Sequence, residues 1–146
     1  SDSKYHYYLK DHQGNNRVVI NQSGTVEETN HYYPFGGVFA NTGNTQPYKY
    51  NGKEFDGKKG VNLYDYGARH YDAALGRLTT VDPLAEKYYP MSPYVYCGNN
   101  PIRYIDPTGM FYTGFAIDKN GYIQKVNNEG GDEYDVIYNK SKYFRK

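Results

Sequence analysis

Short runs that alternate apolar and polar residues, broken by clusters of Gly, Asn, Asp and Ser, cover most of the chain. A period of two places successive side chains on opposite faces, as in a half-buried strand. KYHYYLKD (4–11), RVVINQ (17–22) and VEETNHYYP (26–34) read as strands, and HQGNN and NQSGT read as the turns of a hairpin meander. YYPFGG ends the meander, because Pro34 has no amide to donate to a ladder and Gly36-Gly37 allow positive φ. A polar, variable surface loop is expected from Ala40 to Gln46.

Further on, YKYNGKEFD (48–56) and VNLYDYGARHYD (61–72) read as two strands joined by GKKG. The second strand sets Tyr64, Tyr66 and Ala68 on one face and Leu63, Asp65 and Gly67 on the other. Only ALGR (74–77) and PLAEKYY (83–89) look helical, and each is too short to be more than a single turn. Beyond Met110, apolar runs around DKNG and NEGG read as a small three-stranded meander. The expected class is all-β, built of short antiparallel strands and hairpins.

Composition changes this picture in one respect. With 20 Tyr, no Trp, 16 Gly and only 38% hydrophobic residues, tyrosine must supply much of whatever core exists. The 146 residues suit one domain, by the usual prior of roughly 100 to 200 residues per domain. Seventeen basic residues against 16 acidic ones leave a formal charge of +1, too little to recruit nucleic acid or an anionic membrane. No run approaches the roughly 18 apolar residues of a membrane span, and SDSKYHYYLK lacks the apolar region of a secretory signal.

Metal and cofactor chemistry find no support in the spacing of the side chains. His6, His12, His31 and His70 follow no ligand pattern, and a single Cys97 can form no internal disulfide, so it reads as a small buried filler. YYPFGG lacks the lysine of a phosphate loop. No metal and no organic cofactor are expected.

The candidate chemistry lies between Gly76 and Met110, in GRLTTVDPLAEKYYPMSPYVYCGNNPIRYIDPTGM. Each Asp-Pro step makes a rigid corner, so Asp82 and Asp106 are two fixed carboxylates. Close together, such a pair cannot both ionise, which leaves one as acid and the other as base. The plainer alternative makes both corners ordinary turns, with the aspartate capping a nearby amide. The protein would then be a non-catalytic structural module, or one whose tyrosine stripes bind carbohydrate or another surface.

The stretches NLYDYGARHYDAALGRLTTVDP (62–83) and PYVYCGNNPIRYIDPTGM (93–110), and more loosely YYLKDHQGNNRVVINQSGTVEETNHYYPFGG (7–37), resemble the terminal core of RHS-repeat or YD-repeat proteins. These are bacterial polymorphic toxins related to the C component of insecticidal toxin complexes. The resemblance implies a core domain over residues 1–110, and the start of a variable C-terminal region, a small β meander, over 111–146. It implies a Tyr-rich sheet that helps to close a hollow shell around a downstream toxin. It also implies aspartate-dependent cleavage after the DPxG-plus-apolar motif.

Carried over by residue, the catalytic set is Asp82, Asp106 and Arg77, the motif residues are Pro107 and Gly109, and the scissile bond joins Met110 to Phe111. Arg77 would lower a carboxylate pKa or hold a carbonyl oxygen. The upstream motif reads DPLA where the family often has DPxG, so Ala85 is expected to restrict the backbone beside Asp82. The implied partners are the rest of the shell and the toxin in the same polypeptide, an immunity protein and a secretion apparatus. The implied location is secreted or at the cell surface. An excised core, without the shell packed around it, is expected to cleave poorly.

Overall fold

In the computed structural model, residues 5–117 and 123–126 are described. The fold is all-β, and its remaining regular structure consists of isolated 3-10 turns. The first sheet is a meander of β1 (His6–Lys10), β2 (Asn16–Asn21), β3 (Val26–Tyr32) and β4 (Val38–Thr42), antiparallel and in sequence order. Its turns are fixed by side chains. Asp11 Oδ1 accepts from the amides of Gln13 and Asn15, and Asn21 Oδ1 accepts from those of Ser23 and Thr25.

Two expectations for this half are corrected. Ala40 to Thr42 are not loop but the end of β4, paired through His31 with Ala40 and Thr29 with Thr42. YYPFGG does not end the meander but turns it back: Gly36 adopts φ 84°, and the Tyr33 amide donates to Gly37 O at 2.7 Å. A polar strand without apolar alternation gives no period-two signal, which is why β4 reads as a loop.

The second sheet contains β5 (Glu54–Asp56), β6 (Leu63–Asp65), β7 (His70–Asp72) and β8 (Arg77–Leu78), again in order. VNLYDYGARHYD is therefore not one strand but a hairpin. Gly67, at φ 91°, lets the chain reverse, and the Tyr66 amide closes the turn on Arg69 O at 3.0 Å. YKYNGKEFD is likewise broken by a 3-10 turn over Tyr50–Gly52, with Asn51 in the left-handed region at φ 50°. PLAEKYY contains the expected single turn, Ala85–Tyr88. ALGR is a tight non-helical turn held by Asp72 Oδ1, which accepts from the amides of Ala74 and Leu75.

A third sheet orders β9 (Tyr104–Ile105), β10 (Thr113–Ile117) and β11 (Ile123–Val126) as β11-β10-β9. Thr113 pairs with Ile105 and Gly114 with Tyr104, so the pairing crosses the expected boundary at 110. The third strand anticipated for the tail lies outside the described residues.

The core between these sheets is made of phenols. Tyr50, Tyr64, Tyr66, Tyr71 and Tyr96 are almost wholly buried, with Leu78, Cys97 and Tyr104 beside them. Tyr71 and Tyr96 stack with ring centroids 4.0 Å apart, and Tyr66 meets both edge-on at 5.6 Å. Every hydroxyl in this group needs a partner. Tyr50, Tyr71 and Tyr64 donate to the carbonyls of Pro34, Phe35 and Gly36, one after another around the β3-to-β4 turn. Tyr66 and Tyr96 meet each other at 2.9 Å and both reach Asn51 Oδ1 at 2.7 Å. Packing and hydrogen bonding thus lock the second sheet to the first.

Candidate functional site

The two Asp-Pro corners meet at one guanidinium. Asp82 Oδ1 accepts from the Leu84 amide at 2.8 Å and caps its own turn. Asp106 Oδ1 does the same for Thr108 at 3.1 Å and Gly109 at 2.7 Å. The second oxygen of each faces Arg69, whose terminal nitrogen Nη2 lies 2.8 Å from Asp82 Oδ2 and 3.9 Å from Asp106 Oδ2. The capping geometry of the plainer reading and the convergence of the functional one therefore coexist, each using a different oxygen.

Arg69 is 3% exposed, so its charge is sustained only by partners. Nη1 donates to Pro93 O at 3.0 Å and Nε to Gly109 O, alongside the pair with Asp82. The planar five-donor fork lets one side chain bind three such separate acceptors. Arg77, the arginine of the catalytic set carried over from the resemblance, lies exposed on β8 opposite Asp72. Sequence reasoning missed Arg69. The signal for it was an arginine two residues after Gly67 in a tyrosine-rich stretch, where any charge on the inward side must be committed to partners.

The carbonyls leading to Met110 are each held from elsewhere. Pro107 O accepts from Lys53 Nζ at 2.6 Å, Thr108 O from the Ala68 amide at 3.1 Å, and Gly109 O from Arg69. Gly109 has no room for a side chain: at φ 78°, a Cβ would stand 3.0 Å from the backbone nitrogen of Arg69. Ala85, the departure in the upstream motif, avoids the left-handed region and opens its 3-10 turn without strain. The feared restriction beside Asp82 is absent from the geometry.

Arg69, Asp82, Cys97, Asp106, Met110 and Phe111 share the lining of one small cavity. Its volume of about 10 Å3 is on the order of the room one water molecule occupies. Burial pushes the carboxyl of Asp106 above the usual carboxylate range, against the opposing pull of the Thr108 and Gly109 amides and of Arg69. Burial also pushes the Cys97 thiol up, which disfavours the thiolate that a nucleophile would need. Among the described residues, no group of three His, Cys, Asp or Glu side chains could hold a metal ion. No helix among them is long and apolar enough to cross a membrane.

No family model matches the chain. Salivary gland surface protein 1 of Aedes aegypti is 41% identical over 112 residues, covering 74% of this chain and 3% of that protein. Toxin subunit YenC2 of Yersinia entomophaga is 37% identical over 99 residues, covering 64% of this chain and 10% of that subunit. The chain is related to toxin-complex proteins. Solved structures agree: a TcdB2-TccC3 assembly with Cdc42 superposes with a TM-score of 0.68 at 28% identity, covering 75% of this chain and 5% of that one. A Photorhabdus luminescens Tc holotoxin pore with an Asp-to-Ala change in TccC3 gives 0.68 at 27% identity, with the same coverage. The chain thus spans a tenth or less of the length of these relatives.

Proposed function

We propose that the chain is the terminal core of an RHS-type toxin shell and that it cuts its own backbone between Met110 and Phe111. The observation that carries this reading is the shared cavity: two carboxylates, a guanidinium and both residues of the candidate bond surround room for about one water. Met110 and Phe111 already line this cavity, so the substrate in this reading is the chain's own backbone. In the shell, the remaining RHS sheet and a downstream toxin in the same polypeptide are the partners, the protein is exported or displayed at the surface, and an immunity protein and a secretion apparatus complete the system. A solved relative described as lacking a hypervariable C-terminal region supports placing the variable part after the core.

In this reading, Asp82, paired with Arg69, carries the negative charge and takes a proton from the water. The water oxygen attacks the Met110 carbonyl carbon. Asp106, whose proton burial holds more tightly than in an ordinary carboxyl, gives it to the Phe111 nitrogen as the C–N bond breaks. One water is consumed, one carboxyl and one amine are made, and a proton passed from Asp82 to Asp106 restores the pair. Arg69 is a positioning residue, holding Gly109 O so that the next peptide faces the carboxylates.

A purely structural role is favoured by the two capping Oδ1 atoms, which any turn aspartate would supply. Intact mass of the denatured wild type beside Asp82→Asn and Asp106→Asn separates the readings. Self-cleavage predicts a product ending at Met110 that both variants lack. An uncut wild type across the pH range, in this chain and again within the full shell, leaves the structural role.

A further inference from the structure

The bond proposed to break joins two segments that are anchored by separate means. Upstream, the carbonyls of residues 107–109 are held by Lys53, Ala68 and Arg69. Downstream, the Tyr112 ring packs on Tyr104 with centroids 5.1 Å apart. Its hydroxyl end lies over Gly98, where a Cβ would stand 3.2 Å from the Tyr112 oxygen, so the glycine makes the slot that admits the phenol. Thr113 is 1% exposed and pairs with Ile105, and Gly114 pairs with Tyr104. β11 then continues the sheet from β10. None of these contacts runs through the Met110–Phe111 peptide.

We propose that the segment beginning at Phe111 stays bound to residues 5–110 after cleavage as an added strand, docked on the edge of β9 and anchored by Tyr112 in the slot between Gly98 and Tyr104. The occupant is this chain's own downstream piece, an extended peptide that opens Phe-Tyr-Thr. Main-chain pairing gives such a strand its affinity, and a side-chain slot gives it its register. The proposal rests on the self-cleavage reading. Hydrolysis leaves a carboxylate on Met110 and an ammonium on Phe111. The ammonium is released at a cavity whose wall carries the Asp82 carboxylate, an attraction that favours retention over release.

The test uses the full chain. Denaturing mass reports whether wild type is cut, and native size-exclusion chromatography reports whether the pieces travel together. To free the outcome from self-cleavage, a site-specific protease sequence is inserted between Met110 and Phe111 of an Asp82→Asn chain, which is then cut by added protease. The expected result is co-elution in native buffer and separation in guanidinium. In that chain, Tyr112→Ala should speed release by roughly tenfold, the worth of one aromatic contact, and Tyr112→Phe, which keeps the ring, should speed it by less. Circular dichroism before the cut confirms that both variants are folded. Pieces that part in native buffer, or a Tyr112→Ala chain that releases no faster, overturn the proposal. An uncut wild type together with a retained protease-cut piece removes self-cleavage and leaves the docking site standing.

Discussion

Asp106 holds its Oδ2 3.9 Å from Nη2 of Arg69, too far for a hydrogen bond, although the two side chains are buried together. Burial therefore outweighs the guanidinium and the turn amides, and the carboxyl keeps its proton above the usual range. A raised value in the fold means that the folded state binds this proton more tightly than the unfolded chain does. The resulting stabilisation is fully present below the ordinary value of 3.8 and is lost as pH rises through the folded value. Urea denaturation across pH should show wild type losing ground to Asp106→Asn over that window. The cleavage rate should fall through the same window, because the acid form of Asp106 disappears there.

The two arginines should separate cleanly. Arg69→Lys cannot bind Pro93 O, Gly109 O and Asp82 at once, and a single ammonium would leave buried acceptors unpaired at about 1–3 kcal/mol each. Thermal unfolding should drop markedly, and any cleavage should be lost. Arg77→Lys changes an exposed side chain on β8 and should leave both readouts near wild type. Loss of cleavage in Arg77→Lys with a normal melting curve would return the catalytic role to Arg77.

A second buried charge pair supports the first sheet. Lys49 Nζ lies 2.5 Å from Glu28 Oε1, and both side chains are nearly inaccessible. Burial pushes the Glu28 carboxyl up, but hydrogen bonds from Asn30, Lys49 and the Thr45 amide outweigh it and hold the carboxyl below its usual value. Lys49→Met strands that carboxylate and should cost about 3–5 kcal/mol in chemical denaturation. Adding Glu28→Gln should recover part of the loss. The stability due to Glu28, present above its unfolded value, should fade as pH falls through the lowered folded one.

Much of the fold was legible because the chain announces its reversals. Asp11 and Asn21 cap the turns that their sequence contexts mark, and the alternation of Tyr64 and Tyr66 with exposed Asp65 gives β6 its buried face. The hairpin within VNLYDYGARHYD was hidden because its period continues on both sides of Gly67, so only the glycine betrays the break. The corners at Asp82 and Asp106 followed from the Asp-Pro steps. Arg69 and Glu28 did not, because a buried charge is defined by partners far away in sequence, and pattern reading assigns charges to the surface.

The tyrosine hydroxyls invite a direct measurement. Tyr64→Phe removes the donor to Gly36 O while keeping the ring, so unfolding should cost about 1–2 kcal/mol less, close to the worth of one buried hydrogen bond. Tyr64→Ala, which also opens a cavity, should cost about 3–5 kcal/mol. Equal losses for the two would mean that the hydroxyl, and not the phenol ring, does the holding.

Three hydroxyls seated on three consecutive carbonyls, those of Pro34, Phe35 and Gly36, act as a check on alignment. An oily core tolerates sliding, since one methylene contact replaces another at small cost. Here a shift by one position takes all three hydroxyls off their acceptors at once. A chain with so few aliphatic side chains thereby rejects misaligned sheets through unmet polar demand, and its tyrosines act as a proofreading device as well as a filling.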